Sequence, residues 1–399
     1  MHPIVKALRM VALVAGLSLG CMASELSSSL LIVTAAIGLV TLRRSHLVLL
    51  RRPALWMPLA AGAILAVTYA IGARSLPEMA SIYVFAPLLL GWPLLALLRG
   101  DDETLDPALP ATLTMAGTIG ALTIAVNDHF TNSNERAFYS VGNAIHFADI
   151  AVAAGFMSLI GLFSKIGYAR GLFLLAPVLA SVSVLLSGSR GPLVAVVALA
   201  GVALLFAMIW GGLPKWVSAI IAVLGLGVLA LAIYVGLTEQ TGALKVFADL
   251  IQTVRSGSPG DESSALRLTM YGSAWQAFKE APIFGYGLTN LIAAAASFAP
   301  QGVAFPNVGH LHNDIADFAV SGGVFGLIGY ALFLLAPLVD ALTAPPGPHR
   351  PAAIFGALML VVGFLIMGLT NATFGILMLT VFFAVAGVVI SHLARPELR

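Results

Sequence analysis

The chain has 399 residues, 59% of them hydrophobic and only 10% charged, with a formal net charge of +2 and a mean hydropathy of +0.99. A soluble domain carries about 25% charged residues, so this composition excludes a water-soluble globule, and the small net charge without a basic block argues against nucleic-acid binding. Cys21 is the only cysteine, which rules out an internal disulfide and a cysteine-based metal site.

A helix needs about 20 mostly apolar residues to cross the hydrocarbon core. On that scale the sequence predicts about twelve spans. They lie near 6–24, 28–43, 54–73, 79–98, 108–126, 143–163, 171–187, 192–210, 215–236, 312–338, 352–370 and 374–393. The first follows Lys6 and Arg9 and ends at Gly20-Cys21, like a lipoprotein cleavage box. Ser18 stands where a leucine-like residue is expected, and another apolar segment follows, so it reads as an uncleaved membrane helix. The second span is short. No internal repeat stands out.

Orientation follows from the positive-inside rule. With the N-terminus in the cytoplasm, the inner loops collect Lys6, Arg9, Arg43, Arg44, Arg51, Arg52, Arg99, Lys165, Arg170, Lys215, Arg350, Arg395 and Arg399. The short outer loops hold only Arg74, Arg136 and Arg190. Both termini are therefore expected in the cytoplasm. The chain divides into nine spans over 1–236, an outer loop or cap over 237–311, and three spans over 312–399.

The loop is far longer than an ordinary connection. Leu, Val and Phe recur at helical spacing over 239–255, a polar Gly/Pro-broken linker follows over 255–264, and a second helical pattern covers 265–281. There Leu266, Met270, Ala274, Trp275 and Phe278 recur at three- and four-residue steps. Pro282 and Gly285-Tyr286-Gly287 end it. The expected architecture is an all-α polytopic membrane protein of about twelve transmembrane helices, with a large helical outer loop between the ninth and tenth spans.

This topology brings three polar features to the outer face. The first is LSGSRGP (186–192), where Gly188 and Gly191 permit tight turns and Pro192 suits the first position of the next helix. Arg190, beside Ser189, would stand at that helix N-terminus, where free N–H groups and the dipole favour an anion. Its guanidinium can grip phosphate oxygens, or it can simply snorkel to headgroups. The second is Arg267, at the start of the loop helix; it is an ordinary solvated charge unless the loop folds back over the Arg190 region. The third is HLHND (310–314). Asn313 or Asp314 can cap the tenth span, which places His312 at its mouth, and histidine suits proton transfer near neutral pH. His310 and His312 with Asp314 could instead bind a metal, but a fourth ligand is missing; two interfacial histidines without chemistry are the plainer alternative.

Other polar residues stand out less. His146 and Asp149 in the sixth span must face protein or water. Asp317 follows Asn313 and Asp314 by one turn, and Asp149 and Asp317 could each line a lipid-headgroup cavity or simply lock helices together. Asn127, Asp128, His129 and Arg136 are expected on an outer loop as part of an acceptor surface. Asn371-Ala-Thr373 matches a glycosylation sequon in a hairpin too tight for use.

Three stretches carry a family resemblance: LSGSRGPLVAVVALAGVALL (186–205), RLTMYGSAWQAFKEAPIFGYGLTN (267–290) and HLHNDIADFAVSGGVFGLIGY (310–330). An SxSRG turn, an Arg-led loop helix ending in P-x-x-G-x-G, and His-Asn before a helix with a paired-Gly step at Gly322-Gly323 resemble the bacterial O-antigen ligase and polymerase superfamily. The motifs cover roughly 180–335; before that the likeness is topological. The resemblance implies a GT-C-like glycosyltransferase of the inner membrane that moves a glycan from undecaprenyl diphosphate to a sugar hydroxyl of lipid A–core at the periplasmic face, in lipopolysaccharide biosynthesis, and it makes the large outer loop periplasmic. It matches Arg190 and Arg267 to donor-diphosphate arginines and His312, directly before Asn313, to the histidine assisting the acceptor. Ser189, His310, Asn313 and Asp314 join them as expected substrate-binding residues. No cofactor or metal is expected, and an inverting reaction is.

A polymerase, a lipid-glycan transporter and a non-catalytic membrane scaffold compete with the ligase reading. A polymerase would share the donor site, and related protein oligosaccharyltransferases are disfavoured because the chain ends a few residues after its last span. A lipid-glycan transporter would gather its polar residues at the bilayer midplane on broken helices, whereas here they gather at one face.

Overall fold

The computed structural model describes residues 3–73, 75–98, 105–131, 142–210, 213–238, 262–305 and 309–395. Arg74, Arg99, Arg136, Lys245, Arg255 and Arg399, and the helical pattern expected over 239–255, lie outside the described residues. Among the described residues the secondary structure is helical, without strands. The principal elements are α1 (Pro3–Leu17), α2 (Ser24–Val40), α3 (Pro53–Gly72), α4 (Leu76–Leu98), α5 (Ala108–Thr131), α6 (Ala144–Phe163), α7 (Gly167–Ser187), α8 (Arg190–Ile209) and α9 (Lys215–Thr238). After them come the loop helix α10 (Glu262–Glu280), then α11 (Asp314–Thr343), α12 (Arg350–Gly368) and α13 (Leu377–Ala394).

Ten of these runs are long and apolar enough to cross a membrane, while α2 and the apolar part of α9 are shorter. Each of the twelve expected positions is helical, and the protein is a multi-pass membrane protein. Lipid cannot hydrogen-bond a bare backbone, so each crossing segment must satisfy its own N–H and C=O groups as helix. Large apolar side chains such as Met208, Ile209 and Val223 are correspondingly exposed on the outside of the bundle.

Several spans are less regular than their hydropathy predicts. The segment expected as one helix over 79–98 is a chain of short helical and 3₁₀ pieces, in which Pro87 and Pro93 each remove an N–H. α6 and α7 meet through 3₁₀ turns at Ser158–Phe163 and Gly167–Leu174. The tenth expected span starts at Asp314 and runs to Thr343, but Gly323 breaks it at φ 60°, ψ −146°. α5 continues to Thr131, so Asn127, Asp128 and His129 sit on its last turns instead of a loop. α10 begins at Glu262, inside the stretch expected as linker. It buries Met270, Ala274 and Ala277. Trp275, assigned to the same face by spacing, is 58% exposed.

Leu311 of the HLHND segment packs with Met270, Ala274 and Leu291, while the core beneath the α12–α13 hairpin is aromatic. Phe374, at the α12–α13 hairpin, packs its ring against Phe318, Tyr330, Phe333, Phe364 and Phe383, with centroids 5.0–6.4 Å apart. That hub anchors the hairpin over α11 and α12. The opposite end of the bundle is locked by Arg52, which donates to the Ser391 and Arg395 carbonyls, and by Arg395, paired with buried Asp340 at 3.3 Å.

Candidate active site

The HLHND segment folds as a strained turn feeding α11. His312 has φ +57°, a left-handed conformation uncommon outside glycine and concentrated at functional sites. Its N–H donates to His310 Nδ1 at 3.2 Å, and its carbonyl accepts from the Tyr271 hydroxyl at 2.9 Å. Asn313 is the N-cap, its side-chain oxygen accepting from Ala316 N. The aligned N–H groups of α11 thus begin one residue beyond the His312 ring.

The carboxylates of this segment point inward. Asp314 is fully buried and accepts from the Thr373 N–H at 2.9 Å and from the Thr373 hydroxyl. Asp317 accepts from Leu311 N at 2.7 Å. Asp314 therefore pins the hairpin onto α11 and is not presented to a ligand. The same hairpin holds His312: Nδ1 lies 3.4 Å from Asn371 Oδ1, and Asn371 Nδ2 donates to Asp149 Oδ2 at 3.1 Å. An amide that gives its N–H₂ to a carboxylate presents its oxygen to the imidazole. His312 must then donate from Nδ1, which leaves Nε2 as the basic nitrogen.

The loop helix returns over this turn. Tyr271 reaches the His312 carbonyl, and Arg267 lies one turn earlier on the same face. Burial, and after it the Arg267 charge, holds His312 below the ordinary histidine range, with Asn371 opposing. His310 is pushed down to about 3 by burial and then by the neighbouring cations His312, His146 and Arg267. The three imidazoles form a row, His146 to His310 at 6.0 Å and His310 to His312 at 4.5 Å between centroids. Among the described residues no three His, Cys, Asp or Glu side chains form a group suited to a metal.

Two glycine motifs turn out to be one joint. Tyr286 N and Gly287 N donate to the carbonyls of Val320 and Ser321, and Val324 N donates to the Pro282 carbonyl. The break at Gly323 frees those α11 groups, and the P-x-x-G-x-G turn satisfies them. A Cβ on Gly323 would lie 2.5 Å from the Ile283 backbone, and one on Gly285 would lie 2.5 Å from that of Ser321. The joint fixes the end of α10 against α11, and with it Arg267 and Tyr271.

The SGSRG turn approaches from the other side. Gly188 ends α7 at φ +63° and Arg190 is the first residue of α8. Pro192 occupies the third helical position, not the first as expected. Ser189 is buried, and its hydroxyl donates to the Ala144 carbonyl at the start of α6, so it fastens the turn. Gly191 leaves room for Thr370, whose hydroxyl oxygen would sit 2.4 Å from any Cβ there. The hairpin 369–373 thus touches the Arg190 turn through Thr370, His312 through Asn371, and the Tyr271 hydroxyl and the Asn313 amide through the Leu369 carbonyl.

The family model described as O-antigen ligase matches residues 175–331. That stretch of the chain is similar to the O-antigen ligase family. An uncharacterised protein of Haemophilus influenzae is 25% identical over 276 residues, covering 67% of this chain and 66% of the relative, just under two thirds of its length. The O-antigen ligase match runs from α7 to the middle of α11. It includes the SGSRG turn, the Arg267 helix, the joint and HLHND, and stops short of the hairpin.

The residues at this site that spacing alone did not single out are Asn371, Thr373, Thr370 and Tyr271. Asn371 and Thr373 read as an idle sequon; both are fully buried and bonded to Asp149 and Asp314. Their signal was present: two polar residues interrupting an apolar stretch, at the same end of the bundle as HLHND.

Proposed function

We propose that this chain is an O-antigen ligase that transfers a glycan from undecaprenyl diphosphate to a sugar hydroxyl of lipid A–core at the periplasmic face of the bacterial inner membrane. The observation that carries the reading is the convergence of the SGSRG turn, the Arg267 helix and HLHND on one hairpin at one end of the bundle. Two positive charges and the N-terminus of α8 suit a diphosphate, and a strained, half-buried histidine with a defined basic nitrogen suits an acceptor hydroxyl.

In this mechanism His312 Nε2 takes the acceptor proton as the hydroxyl oxygen bonds to the anomeric carbon. The bond from that carbon to the diphosphate oxygen breaks, and the electron pair leaves with undecaprenyl diphosphate. Arg190 and Arg267 stabilise the growing charge electrostatically, and attack opposite the leaving group inverts the anomeric centre. Asn371, Asp149, Tyr271, Asp314 and Ser189 position these groups without touching substrate.

The test is incubation of purified protein with undecaprenyl-diphosphate glycan, alone or with lipid A–core, with and without chelator. Product that requires lipid A–core and is indifferent to chelator supports the proposal. Longer carrier-linked chains would make it a polymerase, and normal transfer by correctly inserted Arg190→Ala and His312→Ala would remove this site.

A further inference from the structure

A cavity of about 220 Å³ lies on the α3 side of His310. Its wall carries four polar side chains, Tyr69, His310, Asp317 and Ser321, and its apolar part includes the rings of Phe85, Phe318 and Phe374. Tyr69 and Ser321 share a 3.2 Å hydrogen bond between α3 and α11. Asp317, which accepts from Leu311 N, has further carboxylate acceptor capacity.

This combination is selective. A polyprenyl or acyl tail would leave unused the hydrogen-bonding capacity that Tyr69, His310, Asp317 and Ser321 keep beyond their one partner each, which costs free energy in a water-poor site. Water alone would not call for the apolar lining that Phe85, Phe318 and Phe374 supply. A pyranose satisfies both, with hydroxyls at its edge and C–H faces above and below. The volume is below the range of about 300–1,000 Å³ usual for drug-sized ligands, so it suits one ring, not an oligosaccharide. Its place matters equally. His310, whose ring touches that of His312 edge-on, lines the cavity, while Arg190 opens α8 among α6, α9 and α12. The histidine pair thus joins the cavity to the proposed base, His312.

We propose that this cavity seats one pyranose of a lipid-anchored glycan acceptor, next to the hydroxyl that His312 deprotonates. The assignment rests on the transferase reading for its role, though not for its binding. Two filling variants on separate elements, Ala372→Leu and Ser321→Leu, and the polar variant Asp317→Asn test it. Binding of lipid A–core and of undecaprenyl-diphosphate glycan to the full chain in micelles is titrated by native mass spectrometry, with Arg190→Ala as comparison.

The expected result is a loss of about tenfold or more in affinity for one glycan lipid in the cavity variants, with Arg190→Ala weakening only the diphosphate lipid. Which lipid is weakened identifies the source of the ring. Wild-type affinity for both lipids in Ala372→Leu and Ser321→Leu overturns the proposal even if transfer proceeds. Cavity-dependent binding without any transfer by the wild type keeps the sugar seat and removes the transferase reading. A wild type that binds neither lipid removes both.

Discussion

His312 Nδ1 lies 3.4 Å from Asn371 Oδ1, and the orientation of that amide is set on its other side, where Nδ2 donates to Asp149 Oδ2 at 3.1 Å. The relay joins α6, the hairpin and the HLHND turn, and it assigns the His312 tautomer. Asn371→Ala removes the acceptor and frees the ring to rotate. A positioned general base contributes about 10²–10⁴-fold, so transfer by Asn371→Ala is expected to fall by about ten- to a hundredfold, in kcat more than in donor KM. Asp149→Asn should give a smaller loss, because the Asn371 amide can then face either way. Full activity in Asn371→Ala would show that the tautomer is set elsewhere.

Arg267 should shift the pH profile as well as its height. A base works in its neutral form, so the rate rises as pH rises through the His312 pKa and then levels. Burial first, and the Arg267 charge second, hold that pKa below the ordinary value of about 6.5, which places the acid limb below the ordinary histidine range. Arg267→Gln removes a cation that opposes protonation, so the limb should move to higher pH. The amplitude will drop too if Arg267 grips diphosphate. The diagnostic reading is the limb's position, and a limb that stays in place means His312 is not the titrating base.

The bundle was legible because crossing a membrane demands apolar length and little else, and strict alternation of span direction then sorted Arg190, Arg267 and His312 to one end. What spacing could not supply was contact across long chain separations. Asn371 and Asp149 are 222 residues apart, and each looks like an isolated polar residue in an apolar run. The Gly285 turn and the Gly323 break likewise carried separate motifs whose meaning is mutual, since each provides backbone groups for the other. Trp275 fitted a helical stripe yet faces outward, because a stripe reports period and not which neighbour fills it.

Thr373 tests how the hairpin is pinned. Its hydroxyl and N–H both serve Asp314, which is fully buried. Thr373→Val keeps the shape and removes one donor from a buried carboxyl, at a cost of about 1–3 kcal/mol. Thr373→Ser restores the hydroxyl and should recover most of it. Thermal unfolding in detergent reads the difference, and a Val variant as stable as the wild type would mean that the N–H alone suffices.

The α10–α11 joint makes the sharpest structural prediction. At Gly323 the φ of 60° with ψ of −146° is a region open essentially to glycine alone, and any Cβ there would also meet the Pro282–Ile283 backbone. Neither strand of the joint can move without losing the Tyr286, Gly287 and Val324 hydrogen bonds. Gly323→Ala and Gly285→Ala are each expected to destabilise by about 2–4 kcal/mol or more, and to detach α10, so that Arg267 and Tyr271 no longer reach His312. Gly272→Ala in the same helix meets nothing within 4 Å and should be neutral or slightly stabilising, as Ala is favoured over Gly by about 1 kcal/mol in a helix. Limited proteolysis of the 262–305 segment, compared across the three variants, separates a detached loop helix from a globally unfolded chain. Equal protection in Gly323→Ala and Gly272→Ala would show that the paired glycines do not hold the joint.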